Sequence, residues 1–276
     1  MTLCIAALCS ADGETAATHA VVVSDGQIET DYVGADLHYK LERLTEQWSV
    51  LCAGEEDDYV DLIAEYRELL PNIEGDITAV NAMTHLIGPP NTLRSRHAET
   101  CTRQRLALSY PDFLKNGKVQ LPEETQKAVL AEILRQRVEA DLLLIGPVGD
   151  EVAVFNFNGD DHRITRVWDF AAIGSGDTIA QASFFQRGHD QFASIQRTLY
   201  VAFEAQKAGQ AAPSVGASMQ VVLIDRAGKW KILNENGSEQ LQNLYEHYFG
   251  PRDLNSLEKT PTEYMELTPP EDFFTT

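Results

Sequence analysis

The sequence predicts an α+β fold in which antiparallel sheets carry helices on their outer faces. Three observations lead there. Strand-like and helix-like stretches come in runs: strands, helices, strands, helices, then a strand. Grouped runs favour antiparallel sheets, whereas strictly alternating βαβ units favour a parallel one. Hydrophobic residues fill 43% of the 276 positions, enough for a substantial core. Nothing repeats internally, and no stretch approaches the roughly 20 apolar residues that span a bilayer.

The elements follow in order. Residues 3–9, LCIAALC, are a continuous apolar run that reads as a buried strand. A turn-rich connector leads to AVVVS at 20–24, a second strand, so the two form a hairpin with a long loop. After Asp25-Gly26-Gln27 the chain stays polar until KLERL at 40–44, and WSVLCAG at 48–54 is a third strand. Four acids at 55–58 suit the positive end of a helix, Val60, Ile63, Tyr66 and Leu70 recur at helical spacing, and Pro71 ends the run. A second helical zone covers 76–108. It holds Arg94, Arg96, Arg103 and Arg105, which read as a solvated face or as ion pairs between subunits. YPDFLKNGKVQLP at 110–122 reads as an inserted loop with an Asn-Gly turn, and 123–138 as a well-patterned helix. Strands at 141–146 and 151–157 come next, then ITRVWDFAAIGSG at 164–176, a strand ending in a glycine-flanked serine. Helices at 177–187 and 190–208 and the strand MQVVLID at 219–225 complete a domain taken as 1–228. The polar, proline-bearing remainder, 229–276, reads as a C-terminal extension, partly extended or docked.

The net charge of −20 argues against DNA, RNA or anionic membrane as a partner, because phosphates are repelled. Cys4, Cys9, Cys52 and Cys101 form no C-x-x-C pair and the seven histidines show no ligand spacing, so no metal and no cofactor is expected. The N-terminus has neither a basic region nor a cleavage motif, and a reducing cytoplasm fits best.

Position 2 holds a threonine, and removal of Met1 gives it a free α-amine. A threonine hydroxyl attacks poorly until a base takes its proton, and an α-amine titrating near pH 8 can be that base. Such chemistry also needs a cation to hold the amine neutral, a carboxylate to fix the cation, and backbone N–H donors for the oxyanion. The sequence offers Asp25 after the second strand, Lys40 at the head of KLERL, Gly54 at a helix start, and Ser175 between Gly174 and Gly176. Each also has an ordinary structural meaning. Asp25-Gly26 is a common turn pair, Lys40 suits a surface, Gly54 suits a linker, and GSG suits a strand-to-helix turn with Ser175 as cap.

The order Thr2, VVVSDGQ with Asp25, Lys40-Leu-Glu-Arg-Leu44, CAG at 52–54 before an acidic helix, and AAIGSGDTIAQA at 171–182 resembles the proteasome β-subunit family. The DGQ and IGSG wording is closest to its bacterial relatives. The resemblance runs from about 2 to 225. It implies a four-layer αββα sandwich, the N-terminal nucleophile hydrolase fold, and a threonine-type endopeptidase. Thr2 would be nucleophile and, through its amine, base. Lys40 would lower the hydroxyl's pKa, Asp25 would orient Lys40, and Gly54 would supply the oxyanion N–H. Ser175 and Ser214 would attend the amine, and Cys52 matches a position shaping the pocket for an apolar substrate side chain. The resemblance further implies a homo-oligomeric ring acting on peptides or unfolded proteins, and it allows an ATP-driven unfoldase partner.

Three departures stand out. The loop at 10–19 is long. The insertion at 110–122 and the tail exceed the short bacterial relatives. Ala211 occupies the position of an aspartate that supports the amine in the family. The last favours an alternative, a catalytically silent subunit that scaffolds or gates a ring. An amidase acting on a small metabolite ranks behind both.

Overall fold

The computed structural model describes residues 2–11, 14, 16–25, 40–73, 77–135, 138–212, 215–249 and 274–275. The strands are β1 (Leu3–Cys9), β2 (His19–Asp25), β3 (Leu41–Arg43), β4 (Ser49–Gly54), β5 (Ala140–Val148), β6 (Glu151–Asn158), β7 (Arg163–Val167), β8 (Phe170–Gly174), β9 (Met219–Asp225), β10 (Trp230–Leu233) and β11 (Phe274–Thr275). The helices are α1 (Glu56–Ile73), α2 (Ala82–Leu86), α3 (Gly88–Leu106), α4 (Tyr110–Gln120), α5 (Glu123–Arg135), α6 (Asp177–Gln186), α7 (Ile195–Gly209) and α8 (Glu235–Phe249). One sheet has the order β11-β10-β9-β2-β1-β8 and the other β3-β4-β5-β6-β7, with every pairing antiparallel.

The strand LCIAALC explains how the layers stack. Its residues alternate between two faces, and both faces are apolar because both are covered. Cys4, Ala6 and Leu8 join Leu51, Ala53, Leu143, Ile145 and Val154 in a core between the sheets. Leu3, Ile5, Ala7 and Cys9 pack instead on Ala180, Phe184, Leu199 and Ala202 of α6 and α7. A third core fills the far side of the second sheet, where Val50, Leu142, Leu144 and Phe155 meet Leu62, Ile63, Tyr66, Leu86 and Leu93 of α1 to α3. The order through the molecule is therefore helices, sheet, sheet, helices. Among the described residues no helix is long and apolar enough to cross a membrane.

Several local expectations change. Residues 110–122 are not a loop: α4 runs through Asn116-Gly117, and Gly117 packs on the Phe113 ring. The helix starts because the Ser109 hydroxyl accepts the Asp112 N–H at 3.2 Å, with Pro111 in the first turn. That cap, together with the small core of Ala98, Cys101, Phe113, Val129 and Ile133, outweighs the turn preference of Asn-Gly. In α1 Pro71 lies inside the last turn rather than after the helix. Val60 is 48% exposed and Leu62 is buried in its place. At 100° per residue Val60 stands about 100° from the centre of the stripe formed by Leu62, Ile63, Tyr66 and Leu70.

Residues 164–176 are two strands, β7 and β8, in different sheets, joined at Trp168-Asp169. The segment assigned to a C-terminal extension supplies β10, which pairs with β9, and α8, whose Leu241, Leu244 and Tyr248 pack on the core beneath α7. Three of the four arginines at 94–105 find partners within the chain: Arg96 with Asp61 and Glu65, Arg103 with Glu99, and Arg105 with Glu132 at 2.9 Å. These pairs are solvent-facing, so they add little to stability.

Candidate active site

The end of β4 is the mounting point. The Cys52 N–H donates to the Lys40 carbonyl at 3.1 Å, and the Cys52 carbonyl accepts the Cys4 thiol at 3.5 Å. The first bond fixes Lys40 at the head of β3. The second ties β1 of one sheet onto β4 of the other, two residues from Thr2 and two from Gly54. Thr2 and Gly54 therefore lie at the same end of the stacked sheets. Alternation along β1 puts the Thr2 side chain on the same face as Cys4, towards the opposite sheet. Thr2 is 7% exposed.

Asp25 closes β2, one step beyond the Ser24–Cys4 pair, and is fully buried. Its Oδ1 accepts the Lys40 ammonium at 3.0 Å. Its Oδ2 accepts the Leu3 N–H at 3.2 Å and the Gly216 N–H at 3.4 Å. A buried carboxylate is costly unless its charge is countered and its lone pairs filled, and here one ammonium and two peptide groups do both. The ammonium is thereby drawn across from the second sheet to the start of β1, two hydrogen bonds from the Leu3 nitrogen that follows Thr2.

On the other side of β1, Leu3 pairs with Gly174 of β8. The Thr2 carbonyl accepts the Ser175 N–H at 2.8 Å and the Ser175 hydroxyl at 3.4 Å. The resemblance gives that hydroxyl to a terminal amine; in the structure it donates to the carbonyl of the same residue. Gly174 has φ +96°, and a Cβ there would overlap the Thr2 carbonyl, so the close approach of β8 to Thr2 requires glycine. Gly54 is similar: exposed, φ +109°, with the Glu139 carbonyl where a Cβ would sit. Gly54→Ala is expected to cost about 1–3 kcal/mol from backbone strain, besides the overlap. A chemical-denaturation midpoint equal to the parent's would show that this conformation is not required.

Cys52 is buried in the core between β4 and α1, with Tyr59 packed against it. Burial pushes its thiol well above the usual range. Burial does the same to Cys4, reinforced by the Asp25 carboxylate and opposed by Lys40. Neither thiol is available as a thiolate near neutral pH, and the hydroxyls of Thr2 and Ser175 lie at this end of the sheets. Ser214 lies outside the described residues, although Gly216, two positions on, is hydrogen-bonded to Asp25. Ala211 is exposed just after α7 and carries no acid.

The structure thus brings Thr2, Asp25, Lys40, Gly54 and Ser175 to one end of the sheets and places Cys52 beneath them. Two contributors had no sequence signal. Cys4 reads as a small core residue, and its thiol bond to β4 depends on how the sheets stack. Gly216 acts through its peptide N–H, which any residue type provides. Among the described residues no group of three or more histidine, cysteine, aspartate or glutamate side chains could hold a metal ion. No protein-family model matches the chain, and no curated protein matches it.

Proposed function

We propose that this chain is a threonine peptidase with the N-terminal nucleophile hydrolase fold, akin to the proteasome β-subunit family, that hydrolyses peptide bonds through Thr2 once Met1 is removed. The observation that carries this reading is the ion pair between buried Asp25 and partly buried Lys40, with Asp25 also bonded to the Leu3 peptide N–H beside Thr2. In the proposed cycle the Thr2 amine takes the hydroxyl proton and Oγ attacks the carbonyl carbon. An N–H at Gly54 receives the developing oxyanion. The amine then delivers the proton to the departing nitrogen, giving an acyl-threonine ester and a free amine, and water releases the acyl group.

Peptides or unfolded proteins are the substrates, a homo-oligomeric ring with or without an unfoldase is the assembly, and a reducing cytoplasm is the setting. Four free, buried cysteines support the last. A second reading is a silent ring subunit, and Ala211 is what favours it.

An epoxyketone or β-lactone probe separates the two. Intact-mass measurement is expected to show a chain lacking Met1 that gains one probe mass, with peptide mapping locating the adduct at Thr2. A chain that keeps Met1 and takes up no probe is the result expected of a silent subunit.

A further inference from the structure

A cavity of about 410 Å³ lies between α7 and α8, apart from the site built around Thr2. Three segments wall it: Phe203 and Lys207 of α7, Glu239 and Asn243 of α8, and Ala217 and Met219 at the entry to β9. Phe203 is buried, and the Lys207 ammonium stands 5.3 Å from the centre of its ring. The lysine stem thus runs along apolar surface while its charge stays at the cavity. Lys207 and Glu239 carry opposite charges and line the same space, yet no ion pair joins them, and neither pairs with another charged side chain among the described residues. The chain has 42 acids against 22 lysines and arginines, so an ammonium left without a carboxylate is the less expected of the two. Asn243 follows Glu239 by one helical turn on the same face and adds an amide that both donates and accepts. The cavity also adjoins the support of Asp25: Met219 pairs with Asp25 across β9 and β2, and Gly216, whose carbonyl accepts the Gln210 amide at 3.3 Å, donates its N–H to the same carboxylate.

We propose that this cavity binds a zwitterion, an amino acid or short peptide with a free ammonium, a free carboxylate and an apolar side chain. Lys207 takes the ligand's carboxylate, Glu239 takes its ammonium with Asn243 beside it, and Phe203, Ala217 and Met219 receive the side chain. Two opposite charges held apart over an apolar lining suit one molecule that carries both, because each contact answers a charge the fold leaves without a partner. A simple anion gains at Lys207 and is repelled by Glu239; a simple cation meets the reverse. The assignment stands without the peptidase reading, although peptide hydrolysis releases ligands of this class.

The test titrates the full chain with leucine and with leucyl-leucine, followed by ligand-observed NMR. Saturable binding of at least one is expected, and the tighter of the two tells amino acid from peptide. N-acetyl-leucine, which lacks the ammonium, and leucine amide, which lacks the carboxylate, are each expected to bind about twofold to fivefold more weakly than leucine, as for one partly exposed charge pair; the blocked forms of leucyl-leucine serve in the same way if the peptide is the tighter ligand. Lys207→Met is expected to remove the penalty for the missing carboxylate and keep that for the missing ammonium, and Glu239→Gln to do the opposite. A fold merely loosened by substitution weakens every ligand alike and does not give this crossed pattern. No saturable binding by either zwitterion, equal binding of the blocked analogues, or penalties that survive both substitutions overturns the inference, and none of these results touches the assignment of Thr2.

Discussion

Thr2→Ala is expected to abolish the proposed peptide hydrolysis and to leave the fold in place. The first half follows if Oγ is the attacking atom, and the thiol two residues on, Cys4, is fully buried with its pKa raised by that burial. The second half follows from how position 2 is held. Its carbonyl accepts the Ser175 N–H, and the next peptide N–H donates to Asp25, so the anchoring bonds are made by the main chain. Losing a hydroxyl and a methyl there should cost no more than about 1 kcal/mol. Cleavage of a fluorogenic peptide and thermal unfolding are measured side by side. Full activity in the variant removes Thr2 as nucleophile, and loss of activity accompanied by unfolding gives Thr2 a structural role instead.

Under the proposed reading, Lys40→Met is expected to lower kcat by about 10²–10⁴-fold, the range associated with a positioned proton-transfer group. In the proposed cycle the positive charge of Lys40 favours the deprotonated hydroxyl and the neutral amine. The variant also unfolds more easily, because Asp25 is left buried with two N–H donors and no counter-charge; breaking such a pair from one side costs about 3–5 kcal/mol. The double variant Lys40→Met with Asp25→Asn distinguishes the two effects. It is expected to recover much of the stability and none of the turnover. Recovery of both would reduce the pair to a structural one.

Much of this arrangement is legible in the sequence, for a reason visible in its elements. LCIAALC can be apolar at every position only if both faces of the strand are covered, and the buried β1 between the two sheets and α6/α7 is that case. Asp25, Lys40, Gly54 and Ser175 sit at the ends of strands or beside them, where a change of pattern marks a boundary.

What the sequence hides depends on partners distant along the chain. The run from 164 to 176 shows no break because Trp168 and Asp169 carry neither glycine nor proline, although the two halves join different sheets. Asn116-Gly117 signals a turn locally, and only the Ser109 cap and the packing of Phe113 make it helix. β10 and α8 lie in polar text whose few apolar residues suffice because sheet and helix surfaces already wait for them. Asp141 has no local signature at all. Its place beside Gly54 follows from the register of β4 against β5.

The peptide-group anchoring of position 2 has a consequence for exchange of the reactive atom. Because neighbouring segments grip position 2 through its peptide groups, the locus works as an interchangeable socket. Under the proposed reading, serine or cysteine seated there would meet the same main-chain grip, so a single codon would change the attacking atom.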